Sequence, residues 1–523
     1  MTVTVLPDER ALVIETSDPR VLSTIPTAAQ LAPGFVCMPH DVDTGIRLAL
    51  LGIAAPSPIE HYYDWPRDRV KFEKVFDHQK ATAAFLLANP HAYCLNGIGT
   101  MKTMTSLWAA DYLMSEGVIT CAVVVAPIES IERAWGDTVF VHLTHRSFAV
   151  LHGSAAKRKK LLAEKHDFYI VNPDGLPVIE KELAARRDIN LYIIDELADF
   201  RNKINNWKSL HALLYPEKFP PVPWVWGLTG TPRPQTATDP YYQCRLVTPT
   251  TVPKFFGQFK AMVMEHHSQY VWTERAEAQQ IIYGCMRPAI RYKRDDCLDL
   301  PGEITTQVDV ALSAEQAKHY KEIARELYTE VQGHRVTAVN EGVKRSKLLQ
   351  IACGVVYDSE GHPREIDAGS RVEVLLSTIE RINEKVIIFV PFTEVTSMLM
   401  KAVSKHWSAA VVYGDVPAAE RNQIFSDFQN KADPSIIIAH PQCMSRSLTL
   451  TEASTIIWYA PIDSNYIYEQ ACGRIARQGQ KYVANYIQLS GSAIERKMYK
   501  RLELRQSTQG LLLDMIEKGE DLI

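Results

Sequence analysis

The stretch LNGIGTMKTMTSLWAADYL, Leu95 to Leu113, carries residues of the kinds that hold a polyphosphate. Gly97, Gly99, Lys102 and Thr103 follow a short apolar run and open a helical pattern. In that arrangement backbone N–H groups and a helix N-terminus face the phosphates, lysine reaches the outer ones and threonine holds magnesium. One residue departs from the usual pattern: Met101 stands where a glycine normally precedes the lysine. A plain glycine turn before a helix fits the loop about as well when it is taken alone.

Two further constellations shift the balance. LYIIDE ends an apolar run in Asp195 and Glu196. There Asp195 would hold a metal, directly or through water, and Glu196 would orient or deprotonate an attacking water. Acidic pairs after strands are also common helix caps. EQACGRIARQGQ, Glu469 to Gln480, spaces Gln470, Arg474 and Arg477 at i, i+4 and i+7, which predicts one face of a helix that Gly479 ends. A glutamine and two arginines on one face suit an anion, and a γ-phosphate held elsewhere in the chain is the expected one. A salt-bridged surface helix is the alternative.

The elements that must position these residues are legible as two sets of apolar runs. AYCL, TCAVVVAP, DFYIVNPDG, LYIIDE and VWGLTGTP occupy the first half, and KVIIFVP, AAVVYGD, SIIIAHP, TIIWYAP and VANYIQL the second. Such continuously apolar runs suit strands buried on both faces of a parallel sheet, with helices between them. Two successive α/β units follow, with chemistry at the carboxyl ends of the strands. Residues before Trp65 read as a small β-rich appendage, and Leu312 to Leu349 as mostly helical. The 523 residues exceed one ordinary core.

Composition narrows the functional classes. A net charge of -4 excludes a generally basic nucleic-acid binder, so phosphate backbone must meet local patches such as Lys157–Lys160. A four-residue basic run is more often a solvated helix face. The nine cysteines form no C-x-x-C pair, which argues against a zinc ribbon or a disulfide framework. No signal peptide and no apolar stretch of membrane-spanning length is present, so a reducing cytoplasm is expected.

In order along the chain, these motifs resemble those of superfamily 2 helicase-like ATPases, and within them the SNF2 branch of DNA translocases. The likeness covers roughly residues 70 to 500. DHQ (Asp77 to Gln79) is similar to the upstream glutamine element, which implies that Gln79 reads adenine. GIGTMKT resembles motif I, APIESIERAW (Ala126 to Trp135) motif Ia with its SNF2-type tryptophan, DELADFRN motif II and GLTGTP motif III. RYKRDDCLDLP, Arg291 to Pro301, resembles the basic segment opening the SNF2 second lobe. YGDVPAAERNQIFSDF and QACGRIARQGQ resemble second-lobe elements. The N-terminal segment has a likeness to the β-rich module of HARP-type annealing helicases.

The resemblance implies an α/β fold of two RecA-like parallel-sheet lobes in tandem with the β-rich N-terminal appendage. Its expected divisions are 1–66, the N-terminal domain; 67–275, the ATP-binding lobe; 276–505, the C-terminal lobe; and 506–523, a tail. ATP and Mg2+ are the implied cofactors. Gln79, Gly97, Gly99, Thr100, Met101, Lys102, Thr103 and Gln470 would bind nucleotide, Thr103 and Asp195 the metal, and Glu196, Arg474 and Arg477 would act in catalysis. The implied activity is ATP-driven movement on duplex or forked DNA in a bacterial or phage setting. An ATP-gated clamp with little turnover and an RNA helicase are the alternatives. Departures fall at Met101, at Ala198 in place of a histidine or aspartate, and at SRSLTL (Ser445 to Leu450) in place of GxGLNL. A helix-compatible backbone would accept Met101, so Met101→Gly is expected to cost a little stability.

Overall fold

The computed structural model describes the chain except residues 1, 66–74, 234, 269–270, 298–299, 339–340, 445–448 and 519–523. It separates into two compact units, one centred on Met1–Cys297 and the other Leu298–Thr508. The SRSLTL stretch, Ser445 to Leu450, falls partly outside the described residues, at 445–448.

The first unit opens with a four-stranded antiparallel sheet, Val3–Leu6, Ala11–Glu15, Phe35–Pro39 and Ala29–Ala32 in spatial order. Alternate residues Leu12 and Ile14 pack with Val36 and Met38 against Val21 and Leu48 of the following helices. This is the expected β-rich appendage. Its chain then crosses to the larger layer. Tyr63 donates to Asp111 (2.7 Å), Arg10 pairs with Glu116 (2.8 Å), and Trp65 meets Trp108 edge-on at 5.7 Å. Asp111, 2% exposed, also takes Arg146 Nε at 2.6 Å and His145 Nε2 at 2.9 Å.

The larger layer is a seven-stranded parallel sheet. Its order is Ala289–Ile290, His91–Cys94, Trp224–Leu228, Ile189–Ile194, Cys121–Val125, Phe168–Val171 and Phe148–Val150. All five expected runs are strands. Their side chains still alternate between two cores: Val123, Val125, Tyr192 and Ile194 face one, Ala122, Val124, Leu191 and Ile193 the other. Both faces are covered, which is why these strands are almost wholly apolar, with polar residues such as His91 and Asn190 at their amino ends. The helices Asp77–Ala88 and Lys102–Ser115 close the second face, and Asn205–Leu214 and Pro240–Val247 the first.

The second unit repeats the plan with six parallel strands, in the order Glu303–Asp309, Ala484–Ser490, Ala453–Trp458, Lys385–Phe389, Ile436–Ala439 and Ala409–Val412. The α/β architecture of two parallel-sheet lobes with a β-rich N-terminal sheet is therefore the fold. Leu312 to Leu349 corrects the sequence reading. Between the helices Ala314–Glu326 and Glu341–Cys353 stands a hairpin, Tyr328–Val331 and His334–Thr337. Gln332 and Gly333 both have positive φ (51° and 77°), the conformation a two-residue hairpin turn requires. Arg371 is buried in this unit against Glu495 (2.6 Å) with Tyr459 beneath its guanidinium. Among the described residues no helix is long and apolar enough to cross a membrane.

Candidate nucleotide site

Three neighbouring strands of the first sheet, His91–Cys94, Trp224–Leu228 and Ile189–Ile194, end side by side. Their carboxyl ends carry Gly97 to Thr103, Thr229 to Pro232, and Asp195 with Glu196. Motifs I, II and III therefore meet at the ends of adjacent strands, although 125 residues of sequence lie between Thr103 and Thr229.

The loop between Cys94 and the helix Lys102–Ser115 is held on its outer side by residues 290–294. Leu95 N–H donates to Ile290 (2.9 Å), Gly97 N–H to Tyr292 (2.9 Å), and Arg291 Nη1 to the Leu95 carbonyl (2.6 Å). Tyr292 N–H in turn meets Asn96 Oδ1 at 2.9 Å. A Cβ on Gly97 would lie 3.1 Å from Arg294 N, a tight contact that glycine avoids. The stretch that resembles the opening of the second lobe thus begins, at Arg291 to Arg294, as the wall of this loop. Gly99 has φ 84°, and Thr100 Oγ1 closes the turn on the Gly97 carbonyl at 2.8 Å.

Met101 corrects an expectation. Its backbone is left-handed (φ 61°, ψ 37°), not helical, because the helix begins only at Lys102. The loop keeps the conformation a glycine would give it, with the methionine bearing the strain. Its sulfur lies 3.5 Å from Gln79 Nε2. Gln79 is 1% exposed and its Oε1 accepts Phe76 N–H at 3.1 Å, so this amide joins the start of one helix to the phosphate-type loop.

Lys102 Nζ donates to the carbonyls of Asn96 and Gly97, both at 2.9 Å. Desolvation lowers its pKa, while the charges of Glu196 and Asp195 act against that fall. The three groups thus share one electrostatic neighbourhood. Asp195 is fixed on both oxygens: Oδ2 accepts the Trp135 indole N–H at 2.9 Å, and Oδ1 accepts Glu196 N–H at 3.0 Å. Trp135 is fully buried in a π-helical turn, Ile131–Gly136, a distortion frequent at functional sites. Glu196 is itself left-handed (φ 48°, ψ 52°), which turns the chain sharply after the strand. Backbone strain at two such residues beside one loop is the pattern of a site held in place by its surroundings.

The turn Thr229–Pro232 completes the cluster. Thr229 N–H donates to Cys94 O (3.1 Å), a Cβ on Gly230 would sit 3.5 Å from Asn96 O, and Thr231 Oγ1 is buried without a hydrogen-bond partner among the described residues. The sequence pointed to motif III but not to this hydroxyl. A tight glycine loop, an inward lysine, Thr103 on the first turn of the helix and a fixed carboxylate form a donor set that fits a nucleoside triphosphate with magnesium. Hard oxygen donors with few protein ligands suit that ion. Among the described residues no three His, Cys, Asp or Glu side chains gather into an all-protein metal cage.

In the second unit the helix Asn465–Cys472 is capped by Gly473. Arg474 and Arg477 therefore lie in turns beyond the helix, not on its continuing face, which corrects the periodicity reading. Arg474 is fully buried and donates to Gln470 Oε1 at 2.8 Å; Arg477 Nε donates to Gly473 O at 2.8 Å. Gln480 holds these turns. Its Nε2 reaches the carbonyls of Ala453 (2.8 Å), Ile475 (3.1 Å) and Thr451 (3.3 Å), and its Oε1 accepts Lys481 and Tyr482 N–H. That role was not legible in the motif. The basic run Lys157–Lys160 is only partly a solvated face: Arg158 turns inward onto Leu151 O (2.7 Å) and Asn172 (3.0 Å).

Residues 370–479 match the family model described as the helicase conserved C-terminal domain. Among curated relatives, a Bacillus subtilis protein described as an ATP-dependent helicase/translocase, YwqA, is 25% identical over 67% of this chain and 38% of its own. Protein p41 of Acyrthosiphon pisum secondary endosymbiont phage 1 is 24% identical over 81% of this chain and 94% of its own. The chicken DNA repair and recombination protein RAD54B is 29% identical over 30% of this chain and 18% of its own. The chain thus spans well under two thirds of the Bacillus and chicken proteins. A solved Sulfolobus solfataricus SWI2/SNF2 ATPase core in complex with dsDNA covers 85% of this chain and 93% of its own at 20% identity, with a TM-score of 0.41. Residues 370–479 thus match a helicase C-terminal domain, and the curated relatives that the chain is similar to include ATP-dependent helicases and RAD54B proteins.

Proposed function

We propose that the chain binds ATP with magnesium at the first-unit site, hydrolyses it, and uses the cycle to move along or remodel DNA. The observation that carries this is the meeting of Lys102, the Asp195–Glu196 pair and the Thr229–Pro232 turn at three adjacent strand ends. Bound ATP and magnesium would supply the phosphoanhydride and the cation that offsets charge on the departing oxygen. Backbone N–H groups of Gly97 to Thr103 cradle phosphate, and Lys102 exchanges its carbonyl partners for phosphate oxygens. Thr103 and Asp195 hold the metal, and Trp135 keeps Asp195 in register. Glu196 orients water and takes its proton. In the second unit Arg474 and Arg477 are the groups to which the family resemblance gives a catalytic role. Relatives named for DNA repair and for helicase or translocase activity support DNA as the track, and the phage relative supports a bacterial or phage setting.

The test is ATP turnover without nucleic acid and with single-stranded, duplex or forked DNA, or RNA. Duplex or forked DNA should stimulate most. Glu196→Gln should lower turnover by roughly 100-fold or more while ATP still binds, and Lys102→Ala should lose binding. Wild-type turnover in Glu196→Gln would remove the motif II assignment, and stimulation by RNA above DNA would remove the track.

A further inference from the structure

A recess of about 530 Å3 opens between the helices Asn205–Leu214 and Pro240–Val247 and the turn Pro253 to Phe256. It belongs to the sheet face opposite the helix Lys102–Ser115, and is therefore separate from the nucleotide loop. Two stacked ring pairs line it: Trp207 with His211 (4.7 Å) and Tyr242 with Phe256 (5.6 Å, 10° between planes). Trp207 Nε1 donates to the Tyr242 carbonyl at 2.9 Å, which locks one pair to the other. Phe255, 62% exposed, stands at the rim.

Around these rings stand Lys203, Lys208, Arg245 and Lys254, and no acidic side chain lines the recess. Among the described residues none of the four cations has a carboxylate partner. Lys203 lies over Trp207 (6.0 Å), Lys254 over Phe255 (5.8 Å), and Arg245 donates to the Pro249 carbonyl at 3.2 Å. The local field is correspondingly positive. Burial first, then the charges of Arg245 and Lys203, push the His211 imidazole down to about 4, so it remains neutral at ordinary pH.

Unneutralised cations around an aromatic floor are the two halves of single-strand recognition. Every base has a π-face to stack, and each linking phosphate needs a counter-charge. A duplex keeps its bases paired and stacked inward, so it offers only half of that chemistry. An acidic peptide would answer the charges and leave the rings unused. A volume of this order suits a nucleotide-sized group. We infer that this recess binds an unpaired nucleotide of a single strand, base against the aromatic floor and flanking phosphates on the four cations. It gives the first unit a strand-holding site that does not depend on the ATPase reading.

The experiment uses the full chain without ATP and measures anisotropy of a labelled oligothymidylate and a labelled blunt hairpin duplex. Lys208→Ala/Arg245→Ala should raise the Kd for oligothymidylate about tenfold. Phe255→Ala, at an exposed position, should weaken it several-fold, and both should leave the duplex nearly unaffected. Circular dichroism melts and ATPase without nucleic acid should match wild type, which separates loss of the recess from misfolding. Unchanged oligothymidylate affinity in both variants overturns the proposal. Equal losses on duplex make the site a general cationic patch and overturn it too. Displacement of the oligonucleotide by dTMP at similar concentration would make it a free-nucleotide site instead.

Discussion

Met101 holds a left-handed backbone just before the helix it precedes. That conformation costs a side-chain-bearing residue about 1–2 kcal/mol, and glycine nothing. Replacing it with glycine adds unfolded-chain entropy worth about 0.4–1 kcal/mol and removes the sulfur contact to Gln79. The opposing terms nearly cancel. Met101→Gly should therefore melt within about 3 °C of wild type, on either side, instead of losing stability outright. A scan of thermal unfolding checks this, and a drop well beyond that range would mean the thioether contact outweighs the strain. Trp135 carries a second prediction. Trp135→Phe keeps the buried ring and deletes only the N–H on Asp195. For a carboxylate that holds a metal, the role proposed for Asp195, removing such a support usually costs about 10–100-fold in metal affinity or activity. The magnesium concentration for half-maximal ATPase should rise accordingly while the melting temperature changes little. The charged groups of the site were legible because their chemistry is written in residue type. This contact was not, since it joins side chains on separate elements that only the fold brings together.

Among elements, the buried strands of the two parallel sheets were readable and most of their edge strands were not, Ala409–Val412 within AAVVYGD being the exception. IIIA at Ile436–Ala439 is apolar throughout because both faces are covered, whereas Glu303–Asp309 is largely exposed and reads as a polar loop. Ala289–Ile290 and Phe148–Val150 are too short to show a period. The hairpin at Tyr328–Thr337 was hidden between two strong helical patterns, although its Gln332-Gly333 turn was a local signal. The end of Asn465–Cys472 was misplaced because arginines at i+4 and i+7 keep helical spacing even where the chain has left the helix. Gln480 fixes that exit with one buried amide. Gln480→Ala would strand the carbonyls of Ala453 and Ile475 and the N–H groups of Lys481 and Tyr482. The expected loss is on the order of 3 kcal/mol of second-unit stability, read from urea unfolding. Turnover should fall with it, because Arg474 and Arg477 lie in the turns that Gln480 holds.

At the scale of the whole molecule, a net charge of -4 means that the proposed hold on nucleic acid must come from limited cationic strips and not from a general field. Phosphate contacts then dominate, so duplex affinity should fall steeply with added salt and vary little with base sequence. A Kd that stays constant across a moderate salt series would contradict backbone tracking. The two-lobe plan was visible in the spacing of apolar runs, since parallel sheets need long crossovers and leave a regular rhythm in the sequence. The attachment of the appendage was not visible. Arg10 and Tyr63 grip Glu116 and Asp111, near the far end of the helix whose first turn carries Lys102 and Thr103. One rigid element thus has the β-rich sheet at its tail and the phosphate-type loop at its head. Thermodynamic reciprocity follows from that geometry. Any molecule whose hold on the appendage depends on the position of this helix changes nucleotide affinity by a certain factor, and nucleotide must change that molecule's affinity by the same factor.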